Sequence, residues 1–251
     1  MSFSKIALAS LKYHRRMTTF YILFLVISFS LLFVIDSLKI SLPYIYEHVE
    51  DLITSSGYSL ERQNILTSIQ KPTETVNSYY SLSKWIAIIS FVALFLIYFF
   101  ICQLVKEKEF LIWKHSGSTT FSWVRFNLLE SFFPLVIFIL IFTLLAMVFQ
   151  RFFVGMILYQ HLKVIESVSS TQAITEQLGQ EHLDHLVVRF PRTNQALIQS
   201  ILLPAQEWTK ILFLSLGQTI RNFIFLIFPT QVAAISAHYY WRYKFWNKRL
   251  M

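Results

Sequence analysis

"WIAIISFVALFLIYFFICQLV", residues 85–105, carries no charged side chain over 21 positions, and its reading decides the class of fold. At about 1.5 Å of rise per residue, such a helix spans about 30 Å, the thickness of a bilayer's hydrocarbon core. Outward from it, Met17 to Ile35 is another charge-free run, and Ser131 to Gln150 a third, fenced by Glu130 and Arg151. A last apolar zone runs from Ile211 to Trp241, interrupted by Arg221 and containing Pro229. That zone is too long for one upright helix. An interfacial helix around Trp208 to Gly217 is expected to lead into a span near Gln218 to Tyr239. In this register Arg221 lies near the outer surface, where its stem can snorkel, and Pro229 kinks the span.

Composition agrees. Of 251 residues, 55% are hydrophobic and 14% charged, where soluble domains average about a quarter charged. Mean hydropathy is +0.52, and 25 Phe, 12 Tyr and 6 Trp add a heavy aromatic load. These values argue against a soluble enzyme, a disordered chain and a disulfide scaffold. The single Cys102 sits inside an apolar run and has no intrachain partner for a disulfide. The first run has the basic flank of a signal peptide, from Lys5 to Arg16. It is longer than a usual signal core, however, and Asp36-Ser37-Leu38 is no small-residue cleavage site, so an uncleaved span is expected.

Charge placement sets the orientation. Net charge is +8, and 12 of the 22 Lys and Arg residues fall in three short segments. These hold Lys5, Lys12, Arg15 and Arg16; Lys106, Lys108, Lys114 and Arg125; and Arg242, Lys244, Lys248 and Arg249. Even numbers of crossings put all three on one side, which the positive-inside rule makes cytoplasmic. The expected fold is an all-α integral membrane protein with four transmembrane helices, both termini cytoplasmic, and two extracytoplasmic loops with short helices. Its parts are a cytoplasmic amphipathic helix (1–16), a first span (17–36), a first outer loop (37–84) and a second span (85–105). A cytoplasmic coupling segment (106–130), a third span (131–150) and a second outer loop (151–210) follow. The interfacial helix and fourth span (211–241) and a cytoplasmic tail (242–251) complete the chain.

Helical spacing at Tyr44, Val49, Leu52 and Ile53 predicts a helix in the first outer loop. In the second, a helix is expected around Thr171 to Leu186, then a strand-like "LVVRF" ended by Pro191. The polar residues offer little catalysis. Neither a phosphate loop nor a GxGxxG motif occurs, so no ATP hydrolysis by this chain is expected. No Ser/His/Asp set presents itself, and no catalytic residue is assigned. "QEHLDH" places His182 and His185 on one helix face beside Glu181 and Asp184, but only His161 and Glu166 lie nearby as further ligands. A solvated face explains it better, and no metal is expected. Glu130 and Arg221 are expected near interfaces, as a helix-start charge and a membrane anchor, and spans one to three carry no interior charge. The tail from His238 to Leu250 alternates aromatic and basic residues, as a base-stacking surface does. Directly after a span it fits an anchor to membrane lipid better, and no nucleic acid is expected.

The informative stretch joins spans two and three. Apolar spacing at Phe110, Leu111 and Trp113 predicts a helix over Lys106 to His115, broken by Ser116-Gly117-Ser118. Ser118 to Thr120 can cap a second helix that runs into span three. A bent, charged connection of this kind suits docking with a soluble partner.

This stretch resembles the segment after the second span of FtsX-like permeases of ABC transporters. Lys106 and Lys108 match its basic start, Glu109-Phe110 its Glu-aliphatic step, Lys114 a basic position, and Gly117-Ser118 its Gly-Ala/Ser pair. Val124, Phe126, Leu128, Leu129 and Glu130 continue the match, and residues 3–34 are similar to the family's amphipathic helix and first span. Trp113, His115 and Thr119-Thr120-Phe121 depart from it, as does the long second outer loop. The opening and the "KEKEFLIWKHSGS" segment look closer to permeases of bacitracin-resistance or peptide-immunity transporters.

The resemblance implies a non-catalytic permease subunit in a bacterial plasma membrane, working as a pair with a second copy or a related permease. A separate cytoplasmic ABC ATPase would bind ATP and magnesium, and this chain would hold no cofactor. Lys106, Lys108, Glu109, Phe110, Lys114, Gly117 and Ser118 would form the ATPase-docking surface. Force would pass by mechanotransmission to an extracytoplasmic antimicrobial peptide, lipid-linked molecule or cell-wall hydrolase. The alternatives are a stand-alone immunity, binding or scaffold protein without an ATPase, and a membrane-embedded enzyme built on the "EHLDH" cluster.

Overall fold

The computed structural model describes residues 9–55, 62–168 and 203–249. Its elements are α1 (Arg15–Ser55), α2 (Arg62–Val105), α3 (Glu107–His115), α4 (Thr120–Val148), α5 (Gln150–Val168) and α6 (Ala205–Arg249), with no strand among the described residues. Residues 9–13 are helical as well. Four helical stretches are long and apolar enough to cross a membrane: Arg15–His48, Glu74–Val105, Phe121–Val148 and Ala205–Trp241. The protein is an all-α, multi-pass integral membrane protein. Helices suit that solvent because each satisfies its backbone hydrogen bonds internally, where hydrocarbon offers no partner.

The helices run past the limits that charge alone suggests. The first-loop residues up to Ser55 continue α1 without a break, carrying Pro43 within it. No break separates Trp208 to Gly217 from the last span, because one helix covers Ala205 to Arg249 with Pro229 inside. On this stretch Trp208, Ile211, Leu212 and Leu216 are buried, while Lys210, Phe213 and Leu214 are exposed. The expected helix over Thr171–Leu186, the strand-like segment after it, and His182 and His185 lie outside the described residues.

The chain divides into two compact units: Met1–Leu32 with Trp85–Leu145 and Gln218–Met251, and Phe33–Lys84 with Ala146–Gly217. The first is built on aromatic rings. Phe29 of α1 meets Phe142 of α4 at 4.8 Å and Phe223 of α6 at 5.3 Å, while Phe95 of α2 meets Phe223 at 5.9 Å. All three contacts are edge-on, the arrangement that ring quadrupoles favour. Lipid tails are as apolar as side chains, so helix association in a membrane rests on such contacts and on hydrogen bonds.

In the second unit Phe33 meets Phe153 edge-on at 5.5 Å, and the Lys210 ammonium lies 5.3 Å from the ring centre of Tyr44. Its polar groups cross-link helices. Lys84 of α2 pairs with the buried Asp36 of α1 at 2.6 Å, and Gln150 donates to Thr209 at 2.6 Å.

Candidate functional site

The α3–α4 hairpin is shaped by its own local chemistry. α3 begins with Glu107 and Glu109 in its first turn and ends with Lys114 and His115 in its last, the polarity that a helix dipole favours. Gly117 then takes φ +75°, a left-handed conformation that costs other residues free energy. That turn lets the Gly117 amide donate to the Lys114 carbonyl at 3.1 Å and the Ser118 amide to the Trp113 carbonyl at 3.2 Å. The pair closes the helix end as a Schellman motif. Thr119 caps α4 by accepting the Ser122 amide at 3.3 Å.

One face of this hairpin is tied down. Trp123, Phe126 and Ile235 form a buried cluster against which Phe110 and Trp113 pack. Trp113 lies 5.3 Å from Phe126 and 5.8 Å from Trp123, and Phe110 5.5 Å from Trp123. Trp113, a departure from the family pattern, is thus part of the clasp between the arms. The other face is open: Lys108, Ile112, Lys114, His115, Ser116, Gly117, Ser118, Thr119 and Phe121 are all exposed.

Among the sequence-predicted docking residues, Lys108, Lys114, Gly117 and Ser118 share that open side. Phe110 is half-buried in the clasp. Glu109 is held by His14 at 2.7 Å, which joins the segment before α1 to α3. Lys106 is turned inward and buried, and it pairs with the buried Glu130. It does not contribute to an exposed docking surface.

Glu130 likewise corrects an expectation. It stands well inside α4 rather than at a helix start, and accepts from Ser10 at 2.9 Å as well as from Lys106. With Asp36 also buried inside α1, the longer helices do carry interior charge. Two unlike charges taken out of water offset the cost of burial only in close contact, and removing one strands the other. Arg221 is exposed on α6.

Around the Lys106–Glu130 pair lies an amide network that single residues in the sequence do not announce. The Trp123 indole donates to Gln103 Oε1 at 3.1 Å, and Gln103 Nε2 to Asn127 Oδ1 at 3.1 Å. Asn127 Nδ2 donates to the Trp123 carbonyl at 2.9 Å. Gln231 of α6 donates to the Asn127 carbonyl at 2.7 Å and to Ser131 Oγ at 2.8 Å. α2, α4 and α6 are thereby bonded together at the root of the hairpin.

The second unit holds another missed cluster. Ser41 of α1 donates to the Ser37 carbonyl at 2.7 Å, so its oxygen accepts from His161 Nε2 at 2.7 Å. His161 Nδ1 then accepts from the Tyr80 hydroxyl at 2.8 Å. A neutral imidazole satisfies both contacts, and burial holds its pKa down at about 4. His161 is therefore a clamp between α1, α2 and α5 rather than a free ligand for the "EHLDH" segment. No group of three or more His, Cys, Asp or Glu residues placed to hold a metal occurs among the described residues.

No protein-family model matches the chain, and searches of curated proteins and of solved structures find no significant similarity.

Proposed function

We propose that the chain is the membrane permease subunit of an ABC transporter of the FtsX-like type. A separate cytoplasmic ATPase docks on the open side of the α3–α4 hairpin. Two copies, or this chain and a related permease, then do conformational work on an extracytoplasmic peptide, lipid-linked molecule or hydrolase. The observation that carries this reading is the asymmetry of the hairpin. One face is clasped by Trp113, Trp123 and Phe126, while the other presents Lys108, Lys114 and the Gly117 turn unburied.

A relay needs a rigid lever with a free end. The Schellman turn and the aromatic clasp supply rigidity. The buried Lys106–Glu130 pair and the Gln231 amide bond the lever's root to the spans. His14 on Glu109 and Ser10 on Glu130 add a hold on each arm. Lys106 thus acts on docking through position, and the contact set is Lys108, Lys114, Gly117 and Ser118 with the exposed Phe121 beside them.

The test is to purify the tagged chain from its own host in mild detergent and identify what accompanies it by mass spectrometry. The expected result is a soluble protein with a G-x-x-x-x-G-K-[ST] loop, lost from the Gly117→Pro variant while that variant still inserts. Proline removes the amide that donates to Lys114 and forbids the positive φ. Recovery without any ATPase, from an extraction that retains known complexes, overturns the reading in favour of a stand-alone binding or immunity protein.

A further inference from the structure

At the root of the hairpin is a cavity of about 40 Å³, lined among others by Thr18, Tyr21, Cys102, Lys106, Glu130 and Gln231. Gln231 is 2% exposed, and both protons of its amide nitrogen have acceptors, at Asn127 and Ser131. Its carbonyl oxygen Oε1 accepts from no protein group, although a buried amide oxygen left so forfeits its full hydration. The same cavity meets Lys106, whose ammonium has three donors, one of them directed at Glu130. It meets Glu130 too, whose two oxygens offer about four acceptor sites for the bonds from Ser10 and Lys106.

We propose that this cavity is a binding site for water, with Gln231 Oε1 and the Lys106–Glu130 pair as its ligands. The chemistry selects the occupant. An apolar guest would leave the Gln231 oxygen unpaired, an anion would face the Glu130 carboxylate, and a metal cation would face the Lys106 ammonium. Water alone both donates to an amide oxygen and accepts from an ammonium, and it needs only two to four polar partners. A volume of about 40 Å³ exceeds the roughly 10–15 Å³ that one water requires.

The bound water gives Lys106 a second partner and Glu130 a third, after Ser10. Lys106 and Glu130 can then change their separation without either charge being left bare, since a bridging water replaces much of a direct hydrogen bond. The root of the hairpin is in this sense a wet joint. The site stands on the buried polar groups themselves and holds whether or not an ATPase docks on the hairpin.

Water-edited solid-state NMR on the full chain in lipid bilayers tests it. Magnetisation selected on water protons is followed into Gln231 Cδ, Lys106 Cε and, as a dry reference, the methyl carbons of the fully buried Leu25. Transfer to Gln231 and Lys106 several-fold faster than to Leu25 is expected. Build-up at Gln231 as slow as at Leu25 overturns the proposal, and this comparison needs no variant. In Gln231→Leu the transfer to Lys106 Cε should slow toward the Leu25 rate. An unchanged rate there would remove Gln231 from the site.

Discussion

Two buried polar clusters, one in each unit, solve the same problem in opposite ways. In the second unit His161 uses both ring nitrogens, one on Ser41 and one on Tyr80, and has no bonding capacity left over. In the first, Lys106, Glu130 and Gln231 keep donors and acceptors beyond their protein partners, and a cavity lies beside them. A saturated cluster locks helices in one arrangement, because any displacement breaks a buried bond and leaves its groups unpaired. An unsaturated one tolerates displacement. The unsaturated cluster sits at the root of the α3–α4 hairpin, whose far side is exposed.

The comparison can be broken hardest at the ion pair. Glu130→Leu strands the Lys106 ammonium in a buried site and should cost about 3–5 kcal/mol of stability, read from thermal unfolding in detergent. The double variant Lys106→Met with Glu130→Leu should recover most of that loss. If it does not, the pair is held by more than its mutual charge.

The saturated cluster should respond to acid. The His161 pKa lies at about 4 in the folded protein against an ordinary value of about 6.5. Below about pH 6.5 the unfolded chain takes up a proton that the folded one declines until about pH 4, so stability is full above that interval and falls across it as pH drops. At about 1.4 kcal/mol per unit the total from this residue is about 3 kcal/mol. His161→Gln should flatten that part of the profile while costing about 1–3 kcal/mol at neutral pH from unpaired Ser41 and Tyr80. An unchanged slope between pH 6.5 and 4 would assign the acid response to other groups.

Smaller effects separate the hairpin's shape from its contacts. Gly117→Ala should cost about 1–2 kcal/mol through the left-handed backbone alone, since open space surrounds the position a Cβ would take. Thr119→Ala should cost about 1 kcal/mol or less through the lost cap. Lys114→Glu, on an exposed side chain, should cost no more than about 1 kcal/mol through the reversed helix-dipole contact and, on the proposed function, weaken ATPase recovery; normal recovery would move the contact elsewhere on the hairpin.

Much of this architecture is legible in the sequence because its physical causes are local. The apolar runs announce the crossing helices, and Gly117 between Ser116 and Ser118 announces the break between α3 and α4. Helix ends are less legible, because α1 continues through Pro43 to Ser55, and nothing local separates Trp208 to Gly217 from the span that follows. The polar clusters are the least legible. Yet a signal existed for two of their pairs: Asp36 follows span one where Lys84 precedes span two, and Lys106 follows span two where Glu130 precedes span three. Unlike charges that fence successive spans lie at the same depth, and here each such couple meets.

Residue order alone decided that this chain crosses a membrane four times as helices and where its connection between spans two and three bends, since those follow from length, hydropathy and one glycine. Only the tertiary structure decided which charges are buried, that His161 bonds two other helices, and that Gln231, with its side-chain oxygen unpaired, lines one cavity with Lys106 and Glu130. Those facts depend on which helix faces meet. Side chains 120 or 81 positions apart, as Ser41 and Tyr80 are from His161, carry no local sign of the contact they will make.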